Sequence, residues 1–303
     1  MRILIAMDSS PASERVLEEA ASRPWPDNTS FCVVSAIDVG RFAELPALID
    51  DAKREGEKLV KAGAAKLART SRPAESIVLW GPPRHAISTY AEEWKADFLF
   101  AGSHGHSAFG RFLLGSVAQG ILRKAPCSVE IVRARPEGPP VSSRAMKILV
   151  ATDGSEFSLA AARSVANRPW PERTVLQVLS VQELVVFDTS MAGYPLSAIY
   201  PASLLEELMA DARARTVAAE ESIRQILSPA GLKILEPQPG QIGDPRTIIL
   251  DTAQVWPADL IVLGSHGRTG LDRMLMGSVS EAVAIHAHCS VEVIRTQAPG
   301  AKK

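Results

Sequence analysis

The residues with chemical reach in this sequence are glycines, serines and aspartates, and they recur in two sets. After an apolar run ending at Ala101 the chain reads Gly102-Ser103-His104-Gly105, then nine residues, then Gly115-Ser116. After Leu263 it reads Gly264-Ser265-His266-Gly267, again nine residues, then Gly277-Ser278. Glycine permits positive φ and lets a ligand approach the backbone with no Cβ in the way. A Gly-Ser pair opening a helix leaves free N–H groups and a hydroxyl at the positive end of the helix dipole, where phosphate binds well. Each set is accompanied by an aspartate ending an earlier apolar run, Asp8 and Asp153. A carboxylate there could accept from sugar hydroxyls or hold a phosphate-bound Mg²⁺. The chemistry this implies is a cradle for a phosphorylated nucleoside.

Two other phosphate motifs are absent. No G-x-x-x-x-G-K-[ST] occurs, and no G-x-G-x-x-G follows the first strand of either set, which argues against a P-loop and a dinucleotide fingerprint. His104 and His266 lie between the paired glycines, but neither has a nucleophile or carboxylate at motif spacing; a loop-ordering hydrogen bond is the expected role. Arg111 and Arg273 could screen phosphate charge or simply be solvated. Cys32, Cys127 and Cys289 are an odd number without C-x-x-C spacing, which suggests neither a disulfide framework nor zinc.

Positioning these residues requires strands that end at the aspartates and glycines. Strand-length apolar runs occur at 3–7, 31–37, 77–80, 98–101 and 129–132. Helix-length segments lie between them, one with Ser10 at its N-cap and Pro11 at its first position, others over about 48–68, 84–94 and from Ser116. Alternating strands and helices predict βαβ units and an open parallel sheet, whose ligands sit beyond the carboxyl ends of the strands. The last run alternates around Glu130, and its repeat around Glu292; this predicts a strand covered on one face, at a sheet edge or at the contact between copies. Trp25 and Trp170, flanked by prolines, are expected to pack under the first helix of each copy.

The whole arrangement occurs twice. Met1–Ser10 matches Met146–Ser155 at an offset of 145, and from Gly81 onward the offset is 162, so the second copy carries 17 extra residues, around 187–203. That segment, with Tyr194 and Tyr200, is read as a lid, a partner surface or a tolerated loop. The predicted organisation is a domain over 1–134, a Pro/Gly/Ser-rich linker over 135–145, a second domain over 146–296 and a tail over 297–303. A net charge of −1 with scattered Lys and Arg argues against nucleic-acid or membrane-surface binding. No stretch approaches the roughly 18 apolar residues of a spanning helix, and the opening apolar run stops at Asp8, so the expected location is the cytoplasm.

With these motifs in place, the chain resembles the universal stress protein family in its tandem form. G-x-x-G-x9-G-[ST] is the motif of that family's ATP-binding branch, and the likeness spans both copies. The resemblance implies, in each copy, an adenine-nucleotide alpha-hydrolase-like fold: two tandem open parallel five-stranded sheets, each in the order 3-2-1-4-5 and flanked by helices. It implies ATP, with or without Mg²⁺, across the carboxyl edge. Carried over, the binding residues of the first copy are Asp8, Ala36, Ala101, Gly102, Gly105, Gly115, Ser116 and Val117. Those of the second copy are Thr152, Asp153, Val181, Leu263, Gly264, Gly267, Gly277, Ser278 and Val279. The second copy keeps Asp153-Gly154-Ser155, whereas the first has Asp8-Ser9-Ser10 where the family favours glycine in the middle. The implied role is regulatory nucleotide binding without a dedicated reaction, the halves packing as a pseudo-dimer, with homodimerisation of the chain left open. An ATP hydrolase or adenylating enzyme, and a structural dimerisation module, are the competing readings.

Overall fold

The computed structural model describes residues 1–38, 40, 46–70, 72–104, 114–133, 145–183, 201–267 and 276–296. Gly105, Arg111, Arg273, the linker but for Ala145, the tail and nearly all of the inserted segment lie outside the described residues. The first half runs β1 (Arg2–Ala6), α1 (Pro11–Ser22), β2 (Ser30–Ile37), α2 (Pro46–Ala68), β3 (Ala74–Trp80), α3 (Pro83–Glu93), β4 (Phe98–Gly102), α4 (Ser116–Lys124) and β5 (Ser128–Val132). The second runs β6 (Lys147–Thr152), α5 (Glu156–Ala166), β7 (Val175–Gln182), α6 (Ala202–Leu227), β8 (Lys233–Ile234), β9 (Gln241–Ile242), α7 (Pro245–Val255), β10 (Leu260–Gly264), α8 (Ser278–His286) and β11 (Ser290–Ile294). The strands lie in the order β3-β2-β1-β4-β5-β11-β10-β6-β7-β8, with β9 also on β7, so each half has the order 3-2-1-4-5. All pairings are parallel except that of β5 with β11, which is antiparallel.

Period-two alternation along the buried strands sends neighbouring side chains to opposite faces. Leu4 joins a core with α3, α4, α7 and α8, while Ile3 and Ile5 join one with α1, α2, α5 and α6. Both layers run across the two halves without a break. On α1 the expected apolar face is Val16, Leu17, Ala20 and Ala21; the first three are buried and Ala21 is half-buried. Trp25 is buried as well, its Nε1 donating to Ala20 O at 2.7 Å; Trp170 repeats the bond to Val165 O at 2.8 Å. All three cysteines are buried, and among the described residues none is in a disulfide. Among the described residues, no helix is long and apolar enough to cross a membrane.

β5 and β11 lie at the contact between the copies, one of the two places expected, but the expected covering is overturned. The alternation around Glu130 and Glu292 predicts a strand covered on one face, yet every residue of β5 and β11 is buried. The two glutamates stand opposite each other in the antiparallel register, with no exposure. What makes their burial tolerable is two guanidiniums. Arg23 donates from Nη1 and Nη2 to Glu130 at 2.7 and 2.6 Å and also engages Glu19; Arg168 grips Glu292 at 3.0 and 2.5 Å. The polar positions therefore mark a buried ion cluster, not a solvated face. Burial pushes the Glu130 carboxyl up to about 7, with Glu292 adding to the rise against the pull of Arg23.

The outer edge of the second half departs from the first. β3 pairs continuously with β2, but its counterpart is split into β8 and β9, because Pro237 and Pro239 between them have no N–H for the ladder. The Ser180 amide of β7 lies in that gap, and the buried Glu220 of α6 accepts from it at 3.0 Å. Burial raises the Glu220 carboxyl, against the stabilising pull of that N–H. Glu220→Leu leaves the amide without its acceptor and is expected to cost about 1–3 kcal/mol, whereas Glu220→Gln keeps an acceptor and most of the stability. Urea midpoints for the two variants check this; equal losses would show that the amide is not the reason.

Candidate functional site

In the second half, the carboxyl ends of β6, β7 and β10 and the start of α8 surround a cleft of about 320 Å³. Its walls include Thr152, Asp153, Val181, Leu263, Gly264, Gly267, Gly277, Ser278 and Val279, each of them singled out from the sequence. Ser158, Glu183, Pro245, Ile249 and Ser280 complete the lining, together with Ala151, Gln182 and His266. The repeat could have supplied some of these: Ser158 matches Ser13, and Pro245 matches Pro83. Ile249 likewise matches Ile87, and Glu183 stands where the first copy has Asp38, but only the folded chain brings β7 and α7 together.

Local rules explain how each wall is set. At the end of β6, Gly154 takes φ +76°, a left-handed conformation that suits glycine. Its amide donates to Thr152 Oγ1 at 3.1 Å, and the Ser155 amide donates to Asp153 Oδ1 at 3.0 Å. Ser155 caps α5, accepting from the Ser158 amide at 3.3 Å, while Thr152 Oγ1 donates to Ser158 Oγ at 2.9 Å. These bonds hold Asp153 at the cleft. Asp244 caps α7, with Pro245 at its first position, which places Pro245 and Ile249 opposite.

In the first half, Asp8 follows β1, Ala36 sits in β2, Ala101 and Gly102 end β4, and Ser116 and Val117 open α4 behind Gly115. The same edge of the sheet gathers them all. The aspartate turn differs, however. Ser9 is not in the left-handed region that Gly154 uses. Asp8 Oδ1 accepts from the Ser10 amide at 3.0 Å, from Ser13 Oγ at 2.7 Å and from Ser10 Oγ. Ser10 holds the N-cap position of α1, but its hydroxyl serves Asp8 and makes no cap bond.

The glycines act differently from the sequence-based expectation. Of the described motif glycines, none has positive φ. Gly264 allows α5 to touch the sheet: a Cβ there would lie 2.6 Å from the Phe157 carbonyl carbon. At Gly102 the neighbour is Ala12 of α1, whose Cβ would be at 3.0 Å. Gly267 admits the Asp153 carboxylate, whose Oδ2 would be 2.8 Å from such a Cβ. The Gly115 and Gly277 amides, expected to face phosphate, donate instead to Ser103 O and Ser265 O, both at 2.8 Å. Neither helix start has a side-chain cap. The donors left at the cleft are those of the first turn, at Ser278, Val279 and Ser280, with Ser116, Val117 and Ala118 in the first half. His266 Nδ1 lies 3.0 Å from Ser265 Oγ, and His104 Nδ1 lies 3.0 Å from Ser103 Oγ; His266 also packs on Phe157 at 5.0 Å between rings. This is the geometry of loop ordering.

Fold and site together define a tandem doubly wound α/β protein with a cleft at the carboxyl edge of its parallel sheet. The model of the universal stress protein family matches residues 1–133 and again 145–295. The chain belongs to that family. A universal stress protein of Mycobacterium tuberculosis is 30% identical over 250 residues, covering 80% of this chain and 77% of its own. One from Methanocaldococcus jannaschii is 32% identical over 153 residues, covering 49% of this chain and 81% of its own. Among solved structures, a universal stress protein from Archaeoglobus fulgidus superposes with a TM-score of 0.66 at 22% identity, covering 99% of this chain and 97% of its own. That likeness establishes the fold.

Proposed function

We propose that this protein binds adenine nucleotide, ATP with or without Mg²⁺, and works as a regulatory stress protein without a dedicated catalytic reaction. The observation that carries the reading is the uncapped first turn of α8 opening onto a cleft that also holds Asp153 and Val181. Its volume of about 320 Å³ falls in the usual range for small-molecule sites. In this reading the Ser278, Val279 and Ser280 amides hold phosphate, Asp153 takes the ribose, and Val181 and Leu263 flank the base. Asp153 and Glu183 both line the cleft, so a divalent ion would offset their repulsion of a triphosphate. Asp8, Ala36, Ala101, Gly102, Gly105, Ser116 and Val117 form the corresponding set in the first half. The halves, 1–134 and 146–296, act as an intramolecular pseudo-dimer joined along β5 and β11, in the cytoplasm.

Ser116→Asp with Ser278→Asp tests this without endangering the fold. An acidic side chain in a helix's first turn stabilises it by about 0.3–1 kcal/mol, yet it repels phosphate. Titration calorimetry of the full chain is expected to show at least a tenfold loss of ATP affinity at unchanged or raised melting temperature. Wild-type protein that takes up no ATP at millimolar concentration, or a variant that binds as tightly, refutes the proposal.

A further inference from the structure

The helix that opens onto the cleft, α8, and its first-half counterpart α4 are each fastened at the far end by the other half. Arg133 directly follows β5 and Arg295 directly follows β11. Because these strands run antiparallel, each arginine is delivered across the junction. Arg133 Nη2 donates to Ala284 O and Ile285 O, both at 2.7 Å, in the last turn of α8. Arg295 Nη2 donates to Leu122 O at 2.9 Å and Arg123 O at 3.1 Å, in the last turn of α4. The backbone repeats the exchange: the Arg133 amide donates to Ser290 Oγ and the Arg295 amide to Ser128 Oγ, each at 3.2 Å. Among the described residues, neither guanidinium is paired with a carboxylate. A cation at the negative end of a helix dipole is favourable there.

Each arginine is also tied to the site of its own half. The residue before Arg133 is Val132, whose carbonyl accepts from the Ser103 amide at 3.0 Å; Ser103 O in turn accepts from Gly115, the N-cap of α4, at 2.8 Å. In the second half the Ser265 amide donates to Ile294 O at 2.9 Å, and Ser265 O accepts from Gly277, the N-cap of α8, at 2.8 Å. These bonds close a ring. It passes from the start of α4 through Ser103, Val132 and Arg133 to the end of α8, then from the start of α8 through Ser265, Ile294 and Arg295 to the end of α4. Each nine-residue helix, about 13 Å long, spans from cleft to junction.

We infer that this ring couples the cleft of the second half to the matching candidate site of the first, so that filling one orders the other, with Arg133 and Arg295 as the positioning residues. The inference rests on the nucleotide reading above. A ligand that fixes the start of α8 also fixes its end against Arg133, and hence the Ser103–Gly115 turn of the first site. The second ligand then meets a partly ordered site and binds more tightly, a coupling carried by lost motion and needing no change of shape.

Two measurements on the full chain test it. In ATP titrations, wild type is expected to bind its second nucleotide about fivefold or more tightly than independent identical sites allow. Arg133→Met with Arg295→Met should remove that enhancement, and Lys at both positions should restore part of it, since an ammonium still donates to the helix carbonyls. Independent binding in wild type, or an enhancement that survives the Met changes, overturns the coupling. Amide hydrogen exchange without nucleotide supplies the second arm. Arg133→Met is expected to speed exchange about tenfold at both Gly115 and Gly277, ends of the ring remote from the substitution. Exchange unchanged at both amides overturns the ring whether or not ATP binds. Faster exchange in a protein that takes up no ATP upholds the ring and refutes only the nucleotide reading.

Discussion

Arg23→Met is expected to destabilise the junction by about 3–5 kcal/mol at pH 8, the cost of stranding a buried charge without its partner. The guanidinium holds both oxygens of Glu130, which is wholly buried and stands across the ladder from Glu292. Without it, Glu130 faces a second carboxylate in a medium of low dielectric. The loss is a property of the pair and not of arginine alone. Arg23→Met combined with Glu130→Leu should therefore return stability to wild type or above, as apolar replacements of buried ion pairs often do. Guanidinium-chloride unfolding of wild type, the two single variants and the double variant measures the cycle; Arg23→Met within about 1 kcal/mol of wild type would contradict it.

The same cluster sets a pH dependence. The Glu130 carboxyl rises in the fold from its usual 4.5 to about 7, first because of burial, then because of Glu292. A carboxyl with a raised folded value binds its proton more tightly when folded. Its contribution to stability is complete below about 4.5, declines as pH rises and is gone above about 7. The decline is on the order of 3 kcal/mol. Comparison of wild type with Glu130→Gln, which cannot titrate, isolates it: the difference between their pH profiles should develop between those two values.

At the glycine that ends β10, Gly264→Ala is expected to cost about 3 kcal/mol, whereas Gly102→Ala at the matching place should cost about 1 kcal/mol. The reason is what a methyl group meets. At 264 it would stand 2.6 Å from the Phe157 carbonyl carbon and 2.8 Å from its oxygen, both rigid parts of the first turn of α5. At 102 it would meet the Ala12 Cβ at 3.0 Å and that residue's backbone only at 3.4 Å. Neither glycine has positive φ, so backbone strain does not contribute. Relief at 264 requires α5 to move off the sheet, and α5 carries Ser158 into the cleft wall. The variant should thus lose ATP affinity together with stability. Equal melting temperatures for the two alanine variants would show that α5 yields as readily as α1.

The placement of Gly264 illustrates how far local pattern reaches. Its presence at a strand end, and its spacing to Gly267 and Gly277, are written in the chain; what it admits is not. Strand and helix positions were legible because hydrophobic period and capping residues act over a few neighbours. The duplication was legible because two stretches share residue types at fixed offsets. Thr152, Asp153, Val181 and the Gly-Ser helix start could be singled out for the same reason, each being tied to an element's end. The role of Glu130 could not be read, because its alternation with Val129 and Ile131 is what a half-exposed strand also shows. Only the arrival of Arg23, 107 residues away in sequence, turns that position into a buried ion pair. Occupation of the Gly115 and Gly277 amides by serine carbonyls, and the reach of Arg133 and Arg295 onto the opposite helices, are likewise decisions of the tertiary structure. Local pattern records which groups a residue offers, while the partner that takes them up is chosen when distant segments are packed side by side.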